Sequence, residues 1–440
     1  MKISILGTGY AGLVTGATFA KKGFSVICAD KDRHKIEVLI KGLIPFYEPG
    51  LKELIGKVRM NGLLEYSTNV IEVVKASDIS FICVGTPSLK TGAINLKYVK
   101  ECAKEIGFAL KRKGGYHVVV VKSSVIPLTT ENVILPLLEK YSGKKAGKDF
   151  GLCMNPEFLK EGSAVEDALQ PDRIVIGEYD EKSGNTLMRL YKNFRCPKLR
   201  TNLRTAEMIK YASNAFLATK ITFANEFANI CEKFNVDVYE VMKGVGLDKR
   251  ISPYFLNAGA GFGGSCFPKD LKAIFSAARA KNYDPKLLSS VLDINEAQPL
   301  RVTELAERAL GNLKNKKILL LGLAFKPETD DVRETRALPI AKELLRKGAK
   351  IVAYDPMAME NFKKLIRNKN IVYAKSARAA LRNVDACIIQ TAWDEFKSLS
   401  ANDFKAMRKP VIIDGRRTFD SPEKLIKKGI TYLGIGWRNL

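Results

Sequence analysis

Cys266 ends a glycine-rich stretch and is followed at once by a proline, a lysine and an acid: Gly259-Ala260-Gly261-Phe262-Gly263-Gly264-Ser265-Cys266-Phe267-Pro268-Lys269-Asp270. Glycines let backbone N–H groups come close to a ligand, and Pro268 is suited to open a helix. A thiol at a helix start has its thiolate stabilised by the helix dipole and by a cation such as Lys269, which makes a reactive cysteine. Taken alone, the same residues also suit a flexible loop beside a structural thiol. Lys210 and Asn214 stand at i and i+4 in a helical pattern running from residue 203 to about residue 233, hence on one face, which continues into apolar Leu217 and Ile221. A lysine and an amide on that stripe point to a ligand, although a lysine snorkelling from its edge would read the same way. Asn155-Pro156-Glu157-Phe158-Leu159-Lys160-Glu161-Gly162 places two carboxylates four residues apart in what is otherwise an exposed turn.

Positioning these groups requires a scaffold, and the first thirty residues of the chain supply its pattern. Residues 2–6 read as a buried strand, Gly7-Thr8-Gly9-Tyr10-Ala11-Gly12 opens a helix to about residue 22, and residues 25–29 form a second strand ending at Asp30. Strand, spaced glycines, helix, strand and acid form the dinucleotide fingerprint: Gly7 for the turn, Gly9 for approach to the pyrophosphate, Gly12 for helix packing, Asp30 for the ribose hydroxyls. A carboxylate at that place favours NAD, while Lys31, Arg33 and Lys35 keep NADP open. Further strands at residues 79–84 and 117–122 end near Thr86 and Ser124, whose hydroxyls would face the cofactor crevice or cap the next segment.

The third part repeats the first. Residues 316–321, Gly322, a helix from about 335 to 346, Gly348 and a strand to Asp355 retrace the same order, and Asn383-Val384-Asp385 echoes Ala76-Ser77-Asp78. Only Gly322 of the fingerprint remains, followed by Lys326 and Arg333, which suits an anionic ligand other than a second dinucleotide. Asp414-Gly415-Arg416 ends the last clear strand. The expected fold is therefore α/β, two Rossmann-like doubly wound domains joined by a central helical domain with a long helix. The expected boundaries are 1–200, 201–300 and 301–440. A long helix of this kind commonly provides a subunit interface.

At 440 residues, 46% hydrophobic and 27% charged, the chain has room for several cores and no need of staples. Its apolar runs fall short of the roughly 20 residues that span a bilayer, and its start reads as a strand, so a cytoplasmic protein without membrane partners is expected. The eight cysteines show no C-x-x-C pair, which argues against zinc or another metal and against a disulfide framework. A net charge of +25 arises from short basic groups scattered along the chain. It implies a generally basic surface that would attract nucleic acid only non-specifically. A basic nucleic-acid-binding protein on a Rossmann scaffold would explain the charge but leave the cysteine loop without a purpose.

With these motifs in order the chain resembles the UDP-glucose 6-dehydrogenase family, within the nucleotide-sugar dehydrogenases that include GDP-mannose and UDP-N-acetylmannosamine dehydrogenases. The likeness rests on Gly7 to Gly12, Pro45-Phe46-Tyr47-Glu48-Pro49-Gly50-Leu51, Asn155 to Gly162, Lys210 with Asn214, Gly261 to Asp270, Gly322 to Lys326, and Asp414 to Arg416. It implies oxidation of a sugar C6 alcohol to the carboxylate by two NAD⁺, and a homodimer through the middle helices. It casts Cys266 as nucleophile, Lys210 and Asn214 as holders of the oxyanion, and Asp270 as proton handler. Glu157 and Ser124 would orient water, and Glu161 would lie by the nicotinamide. It adds Tyr10, Ala11, Lys35, Thr86, Lys269 and Arg333 to the NAD contacts. It assigns Phe158, Leu159, Lys160, Phe255, Asn257, Gly263, Lys326 and Arg416 to the UDP-sugar, with Arg250 reaching in from a neighbouring subunit. Ser124 replaces the family's usual threonine, and Phe255 stands where some relatives have tyrosine. His34 and His117 read as neither base nor ligand at a reactive carbon, which disfavours histidine-based hydroxy-acid chemistry. The cysteine loop lies closer to the UDP-glucose branch than to the N-acetylmannosamine branch, and the GDP-mannose branch stays open.

Overall fold

Continuous apolar runs that are buried from end to end mark strands covered on both faces, as in parallel sheets. The computed structural model, which describes residues 1–438, places such runs in two sheets. The chain divides into two compact units, Met1–Ser213 with Lys272–Lys281, and Asn214–Leu271 with the described residues from Asn282 onward.

The first unit holds eight strands: β1 (Lys2–Leu6), β2 (Ser25–Ala29), β3 (Leu64–Ser67), β4 (Ile79–Ile82), β5 (Val118–Val121), β6 (Gly151–Met154), β7 (Ile174–Glu178) and β8 (Lys198–Asn202). Their order is β3-β2-β1-β4-β5-β6-β7-β8, parallel throughout except between β6 and β7. The order reverses beside β1, so the crevice between the carboxyl ends of β1 and β4 is the place for a ligand. The second unit holds β9 (Lys317–Leu321), β10 (Lys350–Tyr354), β11 (Ile371–Tyr373), β12 (Ala386–Ile389), β13 (Val411–Asp414) and β14 (Thr431–Gly434). All are parallel, in the order β11-β10-β9-β12-β13-β14. That is the first six places of the other sheet again, and the fold is α/β with two Rossmann-like doubly wound sheets and a long helix, Leu203–Phe234.

The repetition extends to single hydrogen bonds. Asp78 accepts from the Lys2 N–H at 2.7 Å in the first unit, and Asp385 from the Lys317 N–H at 2.7 Å in the second. Gly7 N–H reaches Ala29 O at 2.7 Å, and Gly322 N–H reaches Tyr354 O at 2.9 Å. The two strand-end acids diverge. Asp355 is fully buried and takes five donors, from Leu323, Ala324, Met357 and Ala358 N–H and from Trp393 Nε1. Its lone pairs are spent inside the protein, whereas Asp30 is half-buried.

Gly7 and Gly12 are fixed by their surroundings. Gly7 has φ +103°, and a Cβ on Gly12 would lie 2.0 Å from the Gly7 carbonyl oxygen. A polar chain runs through the first core. His117 Nδ1–H donates to Ser77 O at 3.0 Å, so Nε2 accepts from Ser80 Oγ at 2.8 Å, and Ser4 and Ser77 complete the relay at 2.5 and 2.9 Å. This holds only with a neutral ring. Burial, reinforced by the charge on Lys113, pushes the His117 imidazole down to about 3.

A base whose folded pKa lies below its unfolded value costs stability as pH falls through that interval, because the unfolded chain takes the proton first. Urea unfolding of the native protein and of His117→Gln between pH 7 and 4 isolates this group. The native protein is expected to lose about 1.4 kcal/mol per pH unit relative to the variant below pH ~6.5. Parallel pH profiles would contradict the neutral buried ring.

Candidate active site

The first helix, Tyr10–Lys21, begins at Gly9 with no side-chain cap and no acid in its first turn, so its leading N–H groups are available to an anion. A Cβ on Gly9 would meet nothing within 4 Å, which leaves the backbone open to close approach. Asp30 Oδ2 accepts from Thr8 N–H at 2.8 Å and Thr8 Oγ1 at 2.9 Å, and Oδ1 from Asp32 N–H at 3.0 Å. Burial pushes this carboxyl up, but the three hydrogen bonds and the Lys35 charge outweigh it and keep it below the usual range. An ionised, half-buried carboxylate at the end of β2 fits the ribose hydroxyls of NAD. Lys35 is half-buried, 4.0 Å from Asp32. Thr86 Oγ1 donates to the Ser124 carbonyl at 3.0 Å, so the two hydroxyl residues expected at the strand ends are tied together there.

The segment after β6 is held from several sides. Gly162 N–H is shared by Tyr10 Oη at 2.9 Å and Glu48 Oε2 at 2.7 Å, while Glu48 Oε1 accepts from Ala164 N–H. The Tyr10 ring packs on Phe46, with centroids 4.9 Å apart, so Ala11 and its neighbours begin a helix already braced against this turn. Glu161 is half-buried just ahead of it, and Lys160 is exposed and pairs with Asp167 at 2.9 Å. Glu157 faces inward. Lys210, only 3% exposed, donates to Glu157 Oε1 at 3.0 Å and to the Glu157 carbonyl at 2.7 Å, and Leu159 N–H donates to Oε2 at 2.7 Å. Burial raises the Glu157 carboxyl, but Lys210, the Leu159 N–H and Lys122 together hold it below the ordinary value. The Phe158 ring lies 4.0 Å from the Arg173 guanidinium and 5.6 Å from the Lys210 ammonium.

One turn before Lys210, the fully buried Glu207 accepts from Leu128 N–H at 2.7 Å, Thr130 N–H at 2.8 Å and Thr130 Oγ1 at 2.6 Å. It thus pins the loop that follows Ser124. Burial pushes its carboxyl up to about 7 against those hydrogen bonds. Leu128 has φ +78°, an uncommon geometry for a side chain with a Cβ, and the Glu207 contact holds it there. Glu207 and Lys122 escape the sequence reading, and Glu48 and Asn155 enter it only as members of longer motifs with no role assigned. Glu207 sits one turn from Lys210, and that i, i+3 spacing was the available signal.

In the second unit Cys266 is half-buried directly ahead of the helix Phe267–Arg279, its carbonyl accepting from Asp270 N–H at 2.8 Å. Asp270, 1% exposed, accepts from Asn214 Nδ2 at 2.7 Å and from Lys269 Nζ. Ser265 Oγ is 3.5 Å from the Cys266 sulfur. Asn295 staples the loop, accepting from Phe262 N–H at 2.7 Å and donating back to Phe262 O at 3.1 Å. Gly264 has φ +84°, and a Cβ there would strike the Phe325 ring at 2.6 Å; one on Gly263 would meet Glu334 O at 2.3 Å. This is a thiol on a rigid loop, at a helix start, beside an acid–amide–lysine group: the makings of a nucleophile with proton and charge handling.

The remaining residues named from the sequence spread over the second unit. Arg416 Nε donates to Gln390 O at 3.0 Å in the turn organised by buried Asp414, and burial pushes its guanidinium down to about 10. Lys326 is half-buried with its ammonium 5.7 Å from the Phe325 ring. Phe255 has φ +65° and meets Phe267 edge-on at 6.3 Å, and Asn257 is exposed. Arg250 forks onto Asp248 and Arg333 onto Asp331, both largely exposed.

Comparison with known proteins gives these features a context. Residues 1–195 match the NAD binding domain of the UDP-glucose/GDP-mannose dehydrogenase family, 204–297 its central domain and 319–421 its UDP binding domain. UDP-glucose 6-dehydrogenase AglM of Haloferax volcanii is 44% identical over 430 residues, 97% of this chain and 99% of that protein. TuaD of Bacillus subtilis, also a UDP-glucose 6-dehydrogenase, is 44% identical over 99% of this chain and 93% of its own. The structure of a UDP-glucose dehydrogenase from the hyperthermophilic archaeon Pyrobaculum islandicum superposes with a TM-score of 0.91 at 40% identity, covering 99% of this chain and 98% of that one. With all three parts matched in order, the chain belongs to the UDP-glucose/GDP-mannose dehydrogenase family.

Proposed function

We propose that the protein oxidises UDP-glucose to UDP-glucuronate with two NAD⁺ and one water, releasing two NADH and three protons. The half-buried Cys266 thiol at the start of its helix, next to the Asn214–Asp270–Lys269 group, carries this reading. The names of the relatives at 44% identity supply the substrate. In the first oxidation Asp270 takes up the proton of the C6 hydroxyl, with the Lys210 ammonium stabilising the oxygen that loses it. Cys266 thiolate then adds to the aldehyde carbon, forming a C–S bond, and Lys210 and Asn214 hold the resulting oxyanion. Loss of hydride from that carbon leaves a thioester. Glu157 and Ser124 orient water for attack on it, the C–S bond breaks, and the sulfur leaves as thiolate. NAD, when bound, supplies the hydride acceptor for each oxidation.

Cofactor binding in this reading falls to Gly7, Gly9, Tyr10, Ala11, Gly12, Asp30, Lys35, Thr86, Ser124, Glu161, Cys266, Lys269 and Arg333. Substrate binding falls to Glu157, Phe158, Leu159, Lys160, Lys210, Asn214, Phe255, Asn257, Gly263, Lys326 and Arg416, with Arg250 serving the neighbouring subunit. The division into 1–200, 201–300 and 301–440 and a cytoplasmic site belong to the same proposal. No helix among the described residues is long and apolar enough to cross a membrane. A homodimer is supported by Phe216, Phe223 and Ile230, spaced seven apart on the long helix and exposed by 67%, 42% and 42%. Such a stripe on a water-soluble helix calls for a partner face, and a second copy supplies one.

NADH formed per UDP-glucose, followed at 340 nm, tests the chemistry. Two are expected for the native protein, and Cys266→Ser is expected to lose at least about a thousandfold in acid formation. One NADH would overturn the thioester route, and a strong preference for GDP-mannose or UDP-N-acetylmannosamine in the same assay would overturn the substrate. For the dimer, light scattering of the double variant Phe216→Asp, Phe223→Asp should show half the native mass; an unchanged mass would place the interface elsewhere.

A further inference from the structure

Lys122, just after β5, has no part in the chemistry above, yet its amine lies in the protein interior, 8% exposed, where burial pushes its pKa down. Isolated buried charges are costly, so one without an acidic partner needs a reason. Among the described residues no carboxylate forms an ion pair with it. It donates instead to Asn155 Oδ1 at 2.9 Å. Asn155 is itself immobilised, since the same oxygen accepts from Tyr191 Oη at 2.5 Å and Nδ2 donates to Val175 O at 2.8 Å. Lys122 and Glu157 both line a cavity of about 80 Å³. Cys83, the other titratable neighbour of Lys122, is pushed up to about 12 by burial and stays a neutral thiol. Glu157 is therefore the anion toward which Lys122 acts.

Lys210 now holds Glu157, but the proposed chemistry draws Lys210 to the substrate oxyanion. At that moment the buried Glu157 carboxylate loses its principal counter-charge just before it must act on water. We propose that Lys122 is a positioning residue for thioester hydrolysis: locked on Asn155, its fixed ammonium keeps Glu157 anionic while Lys210 is engaged elsewhere. The inference rests on the function proposed above. The charged and titratable groups around Glu157 are Lys122 after β5, Cys83 after β4, Lys210 on the long helix, Asp167, Asp172 and Arg173 along the cavity wall, and Tyr191. Asp167 is taken up by Lys160 and Arg173 by the Phe158 ring, so Lys122 is the cation left for Glu157.

The sign follows. Without Lys122 the Glu157 carboxyl titrates higher, so its anion disappears at a higher pH and the acid limb of kcat moves up. In Lys122→Met the limb is expected to rise by about one pH unit, with kcat about tenfold lower on the acid side of the native limb and within about twofold of native well above it. Acid-quenched mass spectrometry on that acid side should show the enzyme-bound acyl adduct accumulating. Lys122→Arg, which keeps the charge, should retain the native limb. A native limb in Lys122→Met, or an equal loss at every pH that Lys122→Arg shares, would overturn the proposal. Should Lys122→Met fail to fold, Asn155→Asp, which neutralises Lys122 in place, must show the raised limb; a native limb there would overturn it as well. The native protein separates the two readings: absence of two NADH per UDP-glucose would sink the proposed function, whereas two NADH with an unmoved limb would sink Lys122 alone.

Discussion

A lysine that is 3% exposed can stay charged only if its acceptors are built into the fold, and Lys210 has two of them on Glu157. That pair ties the long helix to the segment after β6, and the rest of the first unit is arranged to keep both partners in place. Glu48 and Tyr10 brace the turn at Gly162, five residues beyond Glu157. Glu207 clamps the loop after Ser124 to the same helix one turn earlier. Each of these contacts buries a carboxylate or hydroxyl against backbone N–H groups, which are acceptable in a protein interior because every lone pair they use is matched by a donor.

The second sheet repeats the first down to the Asp–N–H contacts at the amino ends of its strands, yet it has lost the features that grip a dinucleotide. Gly322 keeps its positive φ of +89°, but Leu323 and Ala324 follow where the first unit has an open glycine. The buried Asp355 spends its oxygens on five internal donors, so none is left for a ribose. The match of residues 319–421 to a UDP binding domain agrees with this loss: the architecture of a nucleotide crevice persists while its recognition chemistry differs.

What the sequence reveals and what it conceals follow from the range of the interactions. Strand, glycine spacing and acid in the first thirty residues are local and periodic, and the ends of β1 and β2 fall where the pattern places them. Lys210, Asn214 and the Cys266 loop stand out because polar residues interrupt an apolar stripe or glycines cluster before a proline. The edge strand β8 does not stand out, since Lys198-Leu199-Arg200-Thr201-Asn202 has little apolar alternation and is largely exposed. The antiparallel turn from β6 to β7 is likewise invisible, because pairing direction is decided by chain return and not by residue type. What Glu48, Lys122 and Glu207 hold is legible only in three dimensions. Their partners lie 116, 33 and 79 residues away, beyond any helical or strand period.

The buried pair also distinguishes chemistry from stability as its reason for being there. Replacing a buried ion pair by apolar residues of similar volume is often neutral or stabilising, because desolvation of two charges cancels much of their attraction. A sequence tuned only for a firm core would lose Lys210 and Glu157, and would have still less use for Lys122, whose amine rests on the Asn155 amide. Lysine suits such a site better than arginine. Its compact ammonium on a flexible stem can leave one acceptor for another, whereas a guanidinium fork is held by its geometry. An ammonium that must move and one that must stay are then different jobs. In the proposed cycle the first falls to Lys210, whose acceptors belong to Glu157; the second falls to Lys122, whose acceptor Asn155 is fastened from two further sides.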